Sequence, residues 1–203
     1  LQGKIALAEK LLGSSQVFIK LVAAQAGLSQ DRQGSVRQMI ELVSVDTPKV
    51  TAVLSEGRAV GAYSLAQGFL NSSASTTFDE LLLELEKLHA EYGLNLQASL
   101  NSSAQARTEL ASQAASSLET LKTTAVLFED KVVIADSLDT PWAQFYADVS
   151  GAMDQTYQLN HAVLAFLDKQ LQVRLEENRT HMVLLVAALV VVFLLIVYLY
   201  SGF

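Results

Sequence analysis

Residues 182–200 read MVLLVAALVVVFLLIVYLY, and no charged residue occurs between Met182 and Phe203. At a rise of about 1.5 Å per residue this run spans roughly 28 Å as a helix, close to the hydrocarbon thickness of a bilayer. It is apolar on every side, so such a helix needs lipid or an equally apolar protein surface around it. Nothing else in the sequence offers that surface, and residues 179–203 are therefore assigned to a transmembrane helix. Arg179 and His181 mark one membrane edge, and Tyr198 and Tyr200 stand where an interfacial aromatic belt forms.

Working outward, no Pro or Gly lies between Gly151 and the apolar run. One helix can thus continue from about residue 141 through the bilayer, a rod of roughly 90 Å from Trp142 to Tyr200. Its stripe reads Phe145, Tyr146, Val149, Met153, Tyr157, Leu164, Leu167, Leu171 and Leu175. Ser137-Leu138-Asp139-Thr140-Pro141 supplies the start signal, a capping residue followed by proline. Ser44-Val45-Asp46-Thr47-Pro48 repeats it and predicts a second helix start at Pro48.

The spacing predicts further helices over about 1–27, 33–45, 48–70 and 78–130. The first carries Ile5, Ala8, Leu12, Ser15, Ile19, Val22 and Ala26, with Gly27 suited to a helix end. The second carries Val36, Met39, Ile40 and Val43, and the third Val50, Val53, Leu54, Val60, Tyr63 and Leu65. Gly57, Gly61 and Gly68 weaken the third helix, and read either as places of close helix contact or as drift. Thr77-Phe78-Asp79-Glu80 fits a capping box. The helix after it carries Phe78, Leu81, Leu82, Leu85, Leu88, Tyr92, Leu96 and Leu100, thins through a Ser/Ala-rich middle, and resumes at Leu118, Leu121, Ala125 and Phe128. Val132-Val133-Ile134 is the one β-branched run and is too short to build a sheet. The expected fold is all-α, an antiparallel long-helix bundle whose last helix continues as the transmembrane helix. The expected division is 1–178 for the bundle and 179–203 for the membrane helix.

Composition bounds the function. The chain has 203 residues and a net charge of −7 with no basic block, which argues against gripping nucleic acid. There is no cysteine, so disulfide scaffolds, zinc-thiolate sites and thiol catalysis are excluded. His89, His161 and His181 are too scattered for a metal site. Glu84 with Glu86, and Glu176 with Glu177, lie one or two residues apart and do not face each other on a helix. No G-x-S-x-G, P-loop, G-x-G-x-x-G or H-E-x-x-H occurs. The expectation is a non-enzyme with no catalytic residue, no metal and no cofactor. Asn71, Asn101 and Asn178 head glycosylation sequons that arise readily in a Ser/Asn-rich chain.

Arg58 stands out in Glu56-Gly57-Arg58-Ala59-Val60-Gly61, where flanking glycines admit another helix and a guanidinium can clamp a carboxylate. The alternative is an exposed or locally paired arginine. Trp142, Tyr146 and Tyr157 share an aromatic stripe that reads as core or as a ligand cage. Candidate ligand-binding residues are Arg58, Tyr63, Trp142 and Tyr146. Candidate membrane-interface residues are Arg179, His181, Tyr198 and Tyr200.

The pattern resembles the sensor region of bacterial transmembrane receptors, especially methyl-accepting chemotaxis proteins. A similar region occurs in some membrane sensor kinases and diguanylate cyclases. The resemblance is carried by Trp142-Ala143-Gln144-Phe145-Tyr146, by Leu167-Asp168-Lys169-Gln170-Leu171 with Arg174, and by Tyr198-Leu199-Tyr200-Ser201-Gly202-Phe203, a Tyr-Leu-x-x-Gly-Phe ending. A second part is the stretch from Thr47-Pro48 to Gly61, with Arg58 and Gly61 at an Arg-x-x-Gly spacing. The resemblance implies a periplasmic helical sensor on a bacterial inner-membrane homodimer. It further implies a small molecule or a periplasmic binding protein as stimulus, and a HAMP-type linker with a cytoplasmic signalling module downstream. The abrupt start at Leu1 and the end at Phe203 are read as those of a piece of a longer chain. Lys169, Arg174 and Arg179 on the bundle side, offset by Glu176 and Glu177, run against a periplasmic bundle. The alternatives are a tail-anchored helical adaptor or scaffold, and a structural spacer subunit of a membrane complex.

Overall fold

The computed structural model describes the backbone of residues 2–31 and 33–201 and the side chains of residues 13–31 and 33–194. Among the described residues the protein is all-α, with no strand. The helices are α1 (Gln2–Gln25), α2 (Gly34–Glu41), α3 (Thr47–Gln67), α4 (Ser72–Asn101), α5 (Ala104–Phe128) and α6 (Trp142–Ser201). A 3₁₀ turn, Leu28–Gln30, follows α1, and π turns lie at Leu42–Asp46 and Glu129–Val133. The chain divides into two compact units, Leu1–Leu164 and Ala165–Phe203, with the boundary inside α6.

The first unit is built on stripes that repeat in steps of four and three. In α4 the buried set is Ala74, Phe78, Leu81, Leu85, Leu88, Tyr92, Leu96 and Ser99. In α5 it is Ala106, Leu110, Ala114, Ser117, Leu121, Thr124 and Phe128. The average of about 3.6 residues per step matches the turn of an α-helix and keeps one face of each helix on its neighbour. The two helices pair extensively, folding back on each other as a hairpin across Ser102 and Ser103.

That hairpin corrects the expectation of one helix over 78–130. Ser103 leaves helical geometry at φ −155° and ψ 147°, and its hydroxyl oxygen accepts from the Ala106 N–H at 2.9 Å. The break offers new caps and lets the two stripes bury each other, which a straight helix cannot do. The expected capping box at Thr77 is also overturned. Asn71 caps α4 instead, its side-chain oxygen accepting from Ala74 N–H at 2.8 Å, and the Thr77 hydroxyl donates to the Ser73 carbonyl inside the helix.

A third correction falls at Ser44–Pro48, read as a helix start. The helical path runs unbroken from α2 into α3, and Asp46 is helical at φ −74° and ψ −49°. The Thr47 N–H reaches back five residues to the Leu42 carbonyl, and the Ser44 hydroxyl donates to the Ile40 carbonyl at 2.6 Å. Pro48 falls in the first turn of α3, the place in a helix where its missing N–H is tolerated. The second copy of the pattern behaves as expected, with α6 starting at Trp142 and the Pro141 carbonyl accepting from the Gln144 and Phe145 N–H groups.

Three phenylalanines join the helices at the centre. Phe78 and Phe128 meet edge to face with centroids 5.6 Å apart, and Phe128 and Phe145 lie 5.8 Å apart. All three are fully buried. Room for them comes from α3. A Cβ built on Gly57 falls 2.3 Å from Phe128 Cε2, and one on Gly61 falls 2.4 Å from Phe145 Cε1. These two glycines are therefore places of close contact. Gly68, at φ 73°, ends α3 in the left-handed conformation that glycine adopts without strain.

In the second unit, the large apolar side chains of residues 182–194 are exposed. The apolar window of α6 is not buried, which separates it from a core helix. α6 is long and apolar enough to cross a membrane.

Candidate functional site: Arg58 and a buried polar layer

Arg58 projects from α3 onto α6. One guanidinium nitrogen donates to the Ser150 hydroxyl at 2.8 Å, and the carbon of the group lies 4.5 Å from the Tyr146 ring centroid. Ser150 in turn donates to the Tyr146 carbonyl at 2.6 Å. The α6 spacing explains the set, since positions four apart share a helix face. A planar guanidinium suits both partners at once, stacking on the ring while its edge donates. Arg58 is thus a locally paired arginine whose remaining N–H groups are available to an acceptor.

Trp142 lies one turn before Tyr146 and is also about half exposed, so the aromatic stripe is a surface feature and not core. Tyr157, further along the stripe, is similarly exposed. The buried face of α6 is the adjacent one, with Phe145, Val149, Ala152, Thr156, Leu159 and Val163. Tyr63 does not join the cluster. Five residues from Arg58, it sits about 140° around α3, on the other flank of the buried face. Arg179 and His181 are exposed on α6, and the side chains of Tyr198 and Tyr200 lie outside the described residues.

A second polar group lies in the core, where the residue pattern gave little warning. Asp46, in the π turn, is 8% exposed and accepts from Asn95 Nδ2 at 2.8 Å. Thr47 donates to Asn160 Oδ1 at 3.4 Å, and Tyr92 and Ser117 share a hydrogen bond of 3.1 Å. The layer therefore draws on the π turn, α3, α4, α5 and α6. Burial raises the Asp46 carboxyl above its ordinary range, opposed by the Asn95 hydrogen bond and the Lys49 charge, and reinforced by Glu41 and Glu91. Burial likewise raises the Tyr92 phenol, with the Ser117 and Thr47 hydrogen bonds acting the other way. A signal existed for Asp46, because it falls on the Met39, Val43, Val50 stripe at the same four-three spacing. Its position before Thr-Pro disguised it as a cap.

No family model, curated protein or solved structure matches the chain.

Proposed function

We propose that this chain is the ligand-sensing input and outgoing transmembrane segment of a bacterial receptor similar to methyl-accepting chemotaxis proteins. In this reading it is non-enzymatic, with its bundle in the periplasm and its last helix in the inner membrane. The observation that carries the reading is the continuity of α6. One helix of 60 residues holds the core side chains Phe145, Val149 and Val163 and also the exposed apolar run beyond Met182. In this reading a displacement of its first part is passed along the helix.

A ligand biases that motion only by binding two states of the bundle differently. The Arg58 cluster offers a way. Arg58 ties α3 to α6 through Ser150 and Tyr146, so a carboxylate that draws the guanidinium away changes the restraint on α6. The half-exposed Trp142, Tyr146, Tyr157 and Leu164 favour a second copy of the chain as partner on that face. Lys169, Arg174 and Arg179 favour the second reading, a tail-anchored adaptor with its bundle in the cytoplasm.

Residues 1–203 hold no cysteine, so in a cysteine-free background a single thiol introduced here reports topology cleanly. Ser137→Cys, in the exposed loop before α6, is to be treated with a membrane-impermeant maleimide in intact cells carrying the full-length protein. Labelling before lysis supports the receptor. Labelling only after lysis overturns it in favour of the cytoplasmic adaptor.

A further inference from the structure

The π turn at Leu42–Asp46 also shapes a surface cleft of about 560 Å³, away from the residues of the Arg58 cluster. Its walls come from α1, the 3₁₀ turn, α2 and the π turn. Lys20 and Arg37 bring two cations to it, and Glu41 brings one acid, leaving a net positive charge. None of the three forms an ion pair among the described residues, where Lys87 and Glu84 do. Arg37 donates one N–H to the Asp31 carbonyl, which anchors the guanidinium at the entrance to α2 and leaves its other donors unused. Ile40 and Val45 supply carbon surface, and Ser44 a hydroxyl oxygen whose proton is already committed to the Ile40 carbonyl.

We infer that this cleft binds a small organic carboxylate. The oxygens of a carboxylate accept from the Arg37 fork and the Lys20 ammonium, both charge-assisted bonds. The apolar pair Ile40 and Val45 takes the carbon body, which an inorganic anion lacks. The volume lies within the range of small-molecule sites and exceeds what a phosphate ion fills. The π turn makes the cleft consequential. Ser44 and Val45 line it, while the flanking Val43 and Asp46 turn into the core. A ligand there touches Ser44 and Val45, in the same five-residue turn that carries Asp46 of the polar layer, and π turns inside helices recur at functional sites.

The test is titration calorimetry on residues 1–203 in nanodiscs, with acetate, benzoate, succinate, citrate and inorganic phosphate as probes. The Ser137→Cys labelling tests the receptor reading, and the Lys20 and Arg37 variants assign the binding to this cleft, so the two readings fail separately. The expected result is saturable binding of at least one carboxylate. Lys20→Gln and Arg37→Gln should each weaken that binding about tenfold or more, while Arg37→Lys retains part of it and Lys87→Gln, at the surface ion pair of α4, leaves it unchanged. Lys20 and Arg37 are exposed, and a far-ultraviolet spectrum confirms that their variants remain folded. Binding of none of the carboxylates overturns the inference. So does binding that is indifferent to Lys20 and Arg37, binding lost equally in Lys87→Gln, or phosphate binding as tight as the best carboxylate.

Discussion

Alanine at Gly57 or Gly61 adds one methyl group to the middle of α3, and the same substitution at Gly151 adds one to the surface of α6. On helix propensity alone all three should stabilise by about 1 kcal/mol, since glycine is the poorer helix former by that amount. The surroundings differ. At Gly57 the new Cβ would stand 2.3 and 2.4 Å from two atoms of the Phe128 ring, and at Gly61 it would stand 2.4 and 2.5 Å from two atoms of Phe145. At Gly151 nothing lies within 4 Å. Both rings are fully buried and touch each other, so neither swings into open space. Overpacking of this kind costs about 1–3 kcal/mol, which cancels or exceeds the propensity gain. Gly151→Ala should therefore raise stability by about 1 kcal/mol, and Gly57→Ala and Gly61→Ala should fall about 1–3 kcal/mol below it. In thermal melts followed by circular dichroism of residues 1–203 in nanodiscs, each kcal/mol moves the midpoint by about 2–4 °C. Pairing Gly57→Ala with Phe128→Leu should recover part of the loss by removing the clashing atoms. Equal stabilisation at all three glycines would refute the placement of Phe128 and Phe145 against α3.

Three further outcomes are expected. Asp46 has a raised folded pKa, so the native state holds this proton more tightly than the unfolded chain does. Its stabilising contribution is complete below the unfolded value near 3.8 and is lost as pH rises through the folded value. Asp46→Asn should remove that pH dependence and leave the variant more stable than the parent at pH 7 in denaturant titrations. Asn71→Ala and Ser103→Ala each delete a helix cap and should cost about 1 kcal/mol apiece in the same titration. Leu189→Arg places a charge in the middle of the apolar run and should cost about 2.5–3.5 kcal/mol of membrane insertion, seen as protein extracted from membranes by carbonate. Unchanged membrane retention would count against α6 as the spanning helix.

Much of the fold was legible because its physics is local. The Val36, Met39, Ile40, Val43 face of α2 and the Phe78 to Leu96 stripe of α4 bury as their spacing requires. The candidate site was half legible. Arg58 and Tyr146 were identifiable as a guanidinium between glycines and a ring on an aromatic stripe, but that they meet depends on how α3 lies against α6. Tyr63 was misplaced because an apolar stripe on α3 was traced through large residues. The buried face holds Val50, Leu54 and Leu65 of that stripe and runs on through Thr51, Gly57, Gly61 and Ser64, small or polar residues that a hydropathy pattern passes over.

The amino-acid sequence by itself determined the helical class, the apolar helix long enough to cross a membrane, and the absence of any thiol chemistry. Each follows from residue type and spacing along one chain. Only the tertiary structure decided that 78–130 folds back at Ser102 and Ser103, that Ser44–Pro48 continues a helix, and that Asp46 is buried. Caps and start signals are worth about 1 kcal/mol each, and burying the stripes of α4 and α5 against each other outweighs them. The same holds for Gly57 and Gly61, whose meaning lies in the Phe128 and Phe145 rings that occupy the space a side chain would have filled.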